Sequence, residues 1–105
     1  MFGDLMGNMQ EKQEALQKKL AEIKVEAKSG DGAVTVVATA NRQIVNIHID
    51  KEALDWDDKE QVEDLVLVAV NKALALAAER ETAESQNLIQ DLLPPGLGNM
   101  SDLFG

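Results

Sequence analysis

The spacing of apolar residues changes twice along this chain, from helical to alternating and back to helical. From about Gly7 to Ile23, the residues Met9, Leu16, Leu20 and Ile23 fall in one narrow sector of a helical wheel, with Gln13 interrupting it. This predicts an amphipathic helix whose remaining surface is charged. Val25 and Ala27, then Val34, Val36, Ala38 and Ala40, then Val45, Ile47 and Ile49 alternate with more polar neighbours. Period-two spacing predicts three antiparallel strands, each with one buried face. A second helical pattern runs from about Asp58 to Leu93 and is stopped by Pro94. The expected class is α+β: a helix, a three-stranded antiparallel meander and a long C-terminal helix, forming a single domain over residues 1–93.

Local signals place the joints. Ser29-Gly30-Asp31-Gly32 supplies the first hairpin turn, because its glycines accept positive φ without steric cost. In the second turn, around Asn41-Arg42, only Asn41 is a residue that tolerates the left-handed region. The long helix should open with Asp57 accepting a backbone N–H and Glu60, three residues on, reaching back. Trp56, just before it, is expected to fold onto the first turn near Val62. The tail from residue 94 to 105 is rich in Pro and Gly, lacks periodicity and is expected to be flexible.

The long helix is too apolar to be covered by one small domain. Leu65 to Ala78 holds only two polar residues, Asn71 and Lys72. Val62, Leu65, Val66, Ala69, Ala73, Leu76 and Ala77 form one stripe, while Leu67, Val70, Leu74 and Ala78 form a second on another side. The first is expected to cover the protomer's own sheet. The second calls for a partner, most simply a second copy of the chain. Beyond Ala77 the first stripe continues as Arg80, Glu84, Asn87 and Asp91. A helix of roughly 54 Å outruns so small a domain, so its distal half should project as an arm. There Leu88, Ile89, Leu92 and Leu93 form a small apolar cluster of their own, suited to a partner helix or to the first helix.

Charge changes the picture of possible partners. A net charge of −9 argues against nucleic acid, but its distribution is uneven. Residues 1–30 balance five lysines against five acids, whereas residues 50–91 hold four bases against twelve acids. Any anion-binding surface should therefore come mainly from the first half. The N-terminus has no basic segment followed by an apolar one, no apolar run reaches about 18 residues, and cysteine is absent. A cytoplasmic protein without membrane contact is expected.

Catalytic chemistry has little to work with. The single histidine, His48, lies between Ile47 and Ile49 and points to the outer face of its strand, where it is expected to be a surface imidazole. No nucleophile–base pair is visible, so no small-molecule substrate is expected. The glycine-containing turn joins two strands and lacks the Gly-Lys-Ser/Thr ending of a phosphate loop. Asp55, Asp57, Asp58 and Glu60 lack the spacing of a calcium loop, and helix capping accounts for them. Neither metal nor cofactor is expected, and aromatic residues at 3% are too few for a base-stacking platform.

Several segments, in order and at matching separations, resemble the YbaB/EbfC family of nucleoid-associated DNA-binding proteins. They are Met9-Gln10-Glu11-Lys12, the hairpin from Val34 to Asp50, Glu63-Asp64-Leu65-Val66, Ala69-Val70-Asn71-Lys72-Ala73 and Leu93-Pro94-Pro95-Gly96. The resemblance implies a tweezer-like homodimer in which the sheets and the apolar part of the long helices share a core and helical arms project. It also implies double-stranded DNA as partner and a role in DNA conformation, nucleoid organisation and gene expression. The contacts it implies are Lys12, Lys18 and Lys19 on the first helix and Arg80 on the arm, with Leu67, Val70, Leu74 and Ala78 at the dimer interface. Glycines usual in the second hairpin turn are replaced here by Ala40 and Arg42, and basic residues common on the exposed strand face by Thr35 and His48. An alternative is an acidic structural or adaptor dimer whose arms grip another protein, favoured by the acidic second half.

Overall fold

The computed structural model describes residues 2–92, with side chains from Met6 to Asp91; the tail expected to be flexible lies outside the described residues. Five elements follow in order: α1 (Phe2–Glu22), β1 (Lys24–Ser29), β2 (Val34–Thr39), β3 (Gln43–Ile49) and α2 (Lys59–Leu92). The strands form one antiparallel sheet in the order β1-β2-β3, which is the expected meander. Cross-strand rows Ala27–Val36–Ile47 and Ser29–Val34–Ile49 put the apolar positions of β1, β2 and the end of β3 on one face. The expected alternation of β3 breaks at Val45: the register shifts between Val37 and Ala38, so Ile44 and not Val45 stands opposite Ala38, and Val45 is the extra residue of a bulge.

That face is covered unequally. Ala69, Ala73 and Ala77, each one turn apart, are fully buried against Ala27, Val34, Val36 and Ala38. Methyl side chains at i, i+4 and i+8 bring the α2 backbone close to β1 and β2, and Val66, Val70 and Leu65 close the sides of the seam. A single helix is about as wide as two strand spacings, so it leaves the third strand uncovered. β3 was expected to have a buried face, yet Val45 is 51% and Ile47 44% exposed, and only Ile49 at its end packs on the core. Leu76 also departs from its expected place in the core-facing stripe and is 38% exposed, because it sits on the shoulder of the alanine seam.

The turns carry the backbone strain. In the first, Gly30, Asp31 and Gly32 take φ of 60°, 56° and 92°, as the glycines allow. In the second, the left-handed residue is Arg42 (φ 64°), not Asn41. Three residues, Ala40 to Arg42, join the paired ends Thr39 and Gln43, and such loops place their last residue in the left-handed region. Position therefore overrides residue preference. The Thr39 hydroxyl donates to the Asn41 side-chain carbonyl, Arg42 N–H donates to Thr39 O at 2.9 Å, and the Arg42 guanidinium lies 3.4 Å from Glu81.

The helix start also shifts by one residue. Asp58 Oδ1, rather than Asp57, accepts the Gln61 N–H at 3.2 Å, while Asp55 accepts the N–H of Asp57 at 3.1 Å. Asp58 is thus the N-cap and Gln61 its third helical residue, so the acidic run completes a turn and a cap in succession. Trp56 lies beside Val62 and Glu63 and donates its indole N–H to Lys51 O at 3.1 Å.

The seam is sensitive to volume. Ala73→Leu should destabilise the protein by about 1–3 kcal/mol, since the added carbons have no room between α2 and β2. A thermal or denaturant melt of the variant beside the parent chain checks this.

Candidate nucleic-acid interface

Beyond Ala77, α2 leaves the sheet and runs alongside α1. α1 is fastened at its C-terminal end, where Leu20 is fully buried. There the N–H of Ala40, in the β2–β3 turn, is shared between Leu20 O at 3.1 Å, which also accepts the Ile23 N–H at 3.3 Å, and Ile23 O at 2.9 Å, tying the helix end to the turn. Farther from the sheet, Leu16 of α1 faces Leu88 and Ile89 of α2 across an open cleft. Of the small apolar cluster expected on the distal helix, Leu88 and the largely exposed Ile89 thus border the first helix, while the Leu92 side chain and Leu93 lie outside the described residues. The seam expected on α1 weakens toward its N-terminus, where Met9 is exposed.

All four candidate cations lie on this two-helix arm. Lys12 and Lys19 line one cleft with Ala15, Leu16, Glu84, Asn87, Leu88 and Asp91, while Lys18 borders a second cleft with Ser85 and Ile89. Lys12 is half-buried and Lys18 is exposed. Lys19 Nζ lies 2.6 Å from Glu84, and Arg80 lies 3.8 Å from the same carboxylate along α2. Sequence spacing predicts the Arg80 pair, one turn apart. It does not predict the Lys19 pair, which depends on how the two helices pack.

Electrostatics divides the molecule along its 64 Å length. Residues 50–64, at the far end of α2, hold eight acids and only Lys51 and Lys59 as bases. Asp64 and Arg80 are separated by roughly 24 Å of helix, more than twice the Debye length of about 8–10 Å at 0.1–0.15 M salt. Those acids are therefore screened from the arm. The arm has its own: over 11–22 and 79–91, Lys12, Lys18, Lys19 and Arg80 face seven acids.

The flank of α2 assigned to a partner lies beside the uncovered strand. Ser29 Oγ donates to Leu65 O at 2.5 Å, which puts β1 on the Leu65 side of the helix. The ion pair between Glu81 and Arg42 turns the opposite flank toward the start of β3. Leu67, Val70, Leu74, Ala78 and Glu81 share an arc of roughly 80° on the wheel. Leu67 is 58% exposed, Leu74 and Ala78 are half-buried, and Val70 is partly taken up by the protomer's own core. Together with Ile44, Val45 and Ile47 of β3, which are also exposed, this flank forms an apolar surface that sequence periodicity alone did not reveal.

His48 is exposed and paired with Thr35 on the outer face of the sheet. Among the described residues, no group of three or more His, Cys, Asp or Glu could hold a metal ion, and no helix is long and apolar enough to cross a membrane.

Comparison with known proteins agrees with this architecture. A family model described as the YbaB/EbfC DNA-binding family matches residues 2–92. A nucleoid-associated protein of Acetivibrio thermocellus is 46% identical over 96 residues, covering 91% of this chain and 80% of that protein. One from Thermodesulfovibrio yellowstonii is 45% identical over 108 residues, covering 100% of this chain and 95% of the other. The crystal structure of an uncharacterised protein from Helicobacter pylori superimposes with a TM-score of 0.74 at 25% identity, over 84% of this chain and 92% of that one. With a helical arm, a three-stranded meander and a family match over all its described residues, the chain belongs to the YbaB/EbfC family of nucleoid-associated DNA-binding proteins.

Proposed function

We propose that two copies of this chain join through the exposed flank of α2 and the open face of β3, and that their arms hold double-stranded DNA with little sequence preference. The observation that carries this reading is the gathering of Lys12, Lys18, Lys19 and Arg80 on the projecting arm of a chain from a DNA-binding family. Lysine contacts phosphate as a point charge and reads no base edge, which supports sequence-tolerant binding. Two arms related by a twofold axis would straddle or bend a duplex, consistent with a role in nucleoid organisation and, through it, gene expression. The site of action in this reading is the cytoplasmic nucleoid.

Dimerisation is supported by exposed Leu67, Val45 and Ile47 with half-buried Leu74, apolar residues grouped on one side rather than scattered singly as is normal on a monomer. The seven acids of the arm imply modest affinity that depends on local placement of the cations.

Affinity for a mixed-sequence duplex should fall steeply with salt, by about 0.9 log units per log unit of salt for each phosphate neutralised. Titration at two salt concentrations measures the slope, and replacing Lys12, Lys18 and Lys19 together with Ala should weaken low-salt binding at least tenfold. No complex at micromolar protein and low salt would defeat this reading. Light scattering should give the mass of two chains, and Leu67→Glu with Leu74→Glu should give that of one. A parent chain that is already monomeric would remove the basis for paired arms.

A further inference from the structure

One carboxylate holds two of the four proposed phosphate contacts. Glu84 Oε2 meets Lys19 Nζ from α1 at 2.6 Å, and its Oε1 meets Arg80 from the preceding turn of α2 at 3.8 Å. The Glu84 side chain is only 11% exposed, whereas those of Lys19 and Arg80 are 60% and 52% exposed. The negative group thus lies in the wall of the arm, with the two cations above it reachable from solvent. An ammonium has three N–H donors and a guanidinium five, so both retain donors for a second anion. What they lack is unopposed charge. A phosphate approaching Lys19 would come within a few ångströms of a carboxylate that packing between the two helices prevents from swinging away.

We propose that Glu84 is an internal counter-ion, standing where a phosphate would otherwise lie between Lys19 and Arg80, and that it sets the DNA affinity of this chain. The inference rests on the reading of the arm as a DNA-binding surface. Asp91 lines the same cleft but makes no ion pair among the described residues, so the effect belongs to Glu84. In the absence of DNA the carboxylate neutralises the cations and fastens α1 to α2. In its presence the carboxylate competes, and it lowers the number of counterions released on binding.

Glu84→Gln keeps the shape and one acceptor while removing the charge. In the full chain it should bind duplex DNA roughly three- to tenfold more tightly at low salt, with the salt slope steeper by about 0.9 for each cation released. Glu79→Gln, an exposed position five residues back along α2 that forms no ion pair among the described residues, removes the same formal charge and controls for bulk electrostatics. It should leave affinity within roughly twofold of the parent. Circular dichroism reports whether the arm stays helical. If Glu84→Gln loses helix, Glu84→Asp withdraws the carboxylate from Lys19 by one methylene and should give a smaller gain in the same direction. No tightening in the folded variant, or an equal gain from Glu79→Gln, overturns the inference. The DNA reading survives that result if the lysine triple variant still weakens the parent's binding. Failure of both the parent and Glu84→Gln to bind at low salt overturns the reading and the inference together.

Discussion

Close contact between the alanine seam of α2 and strands β1 and β2 is the constraint from which the rest of the structure follows. Ala69, Ala73 and Ala77 have no exposed surface, nor do Val34, Val36 and Ala38 opposite them. Small side chains let the helix lie low on the sheet but give it little lateral reach. Two strands are covered and β3 is not. The seam also ends abruptly: over the two turns beyond Ala77, positions 80, 81 and 84 are charged, so the helix has nothing further to bury on the sheet. One short run of alanines thereby creates both an apolar surface beside β3 and an arm that extends past the sheet.

Different forces hold the two parts of the molecule. The sheet region is held by apolar burial and ladder hydrogen bonds. The arm is held at its base by Leu20, whose full burial is worth about 1.5–3 kcal/mol, and by the shared N–H of Ala40. Farther out it has half-buried Leu16 and Leu88 and ion pairs with at least one exposed partner, of a kind worth ~0–1 kcal/mol each. Contact density and stability therefore fall along the arm, and local opening should cost least at its far end. An arm of this kind can change its conformation without loosening the sheet.

Much of the architecture was legible because it follows from periodicity. The order of elements, the alternation of β1 and β2, the span of α2 and its departure from the sheet after Ala77 all follow from where apolar residues stand, whereas the bulge that breaks the alternation of β3 at Val45 does not. Departures arise where one residue's setting is decided by another far away in sequence. Alternation shows that Ile47 faces the same side as Val36, but not that the helix above is too narrow to reach it. The cap at Asp58 rather than Asp57 reflects a preceding turn closed by Asp55, and Arg42 in the left-handed region reflects loop length. The lysines of α1 could be placed on a wheel. Their ion-pair partners on α2 could not, since the Lys19–Glu84 contact spans 65 positions of chain.

A net charge of −9 and membership of a DNA-binding family are compatible because charge acts over distance. The acids of residues 50–64 lie several screening lengths along α2 from Lys19, so they contribute to solubility and to repulsion between molecules but little to the field at the arm. The nearby acids decide the balance, and they are not equivalent. Glu81 is committed to Arg42 at the base, where it supports a strained turn, while Glu84 is committed to cations that face solvent. Charge composition therefore describes the whole molecule, whereas the local field at the arm depends on which carboxylates share it with the lysines and how firmly packing fixes them there.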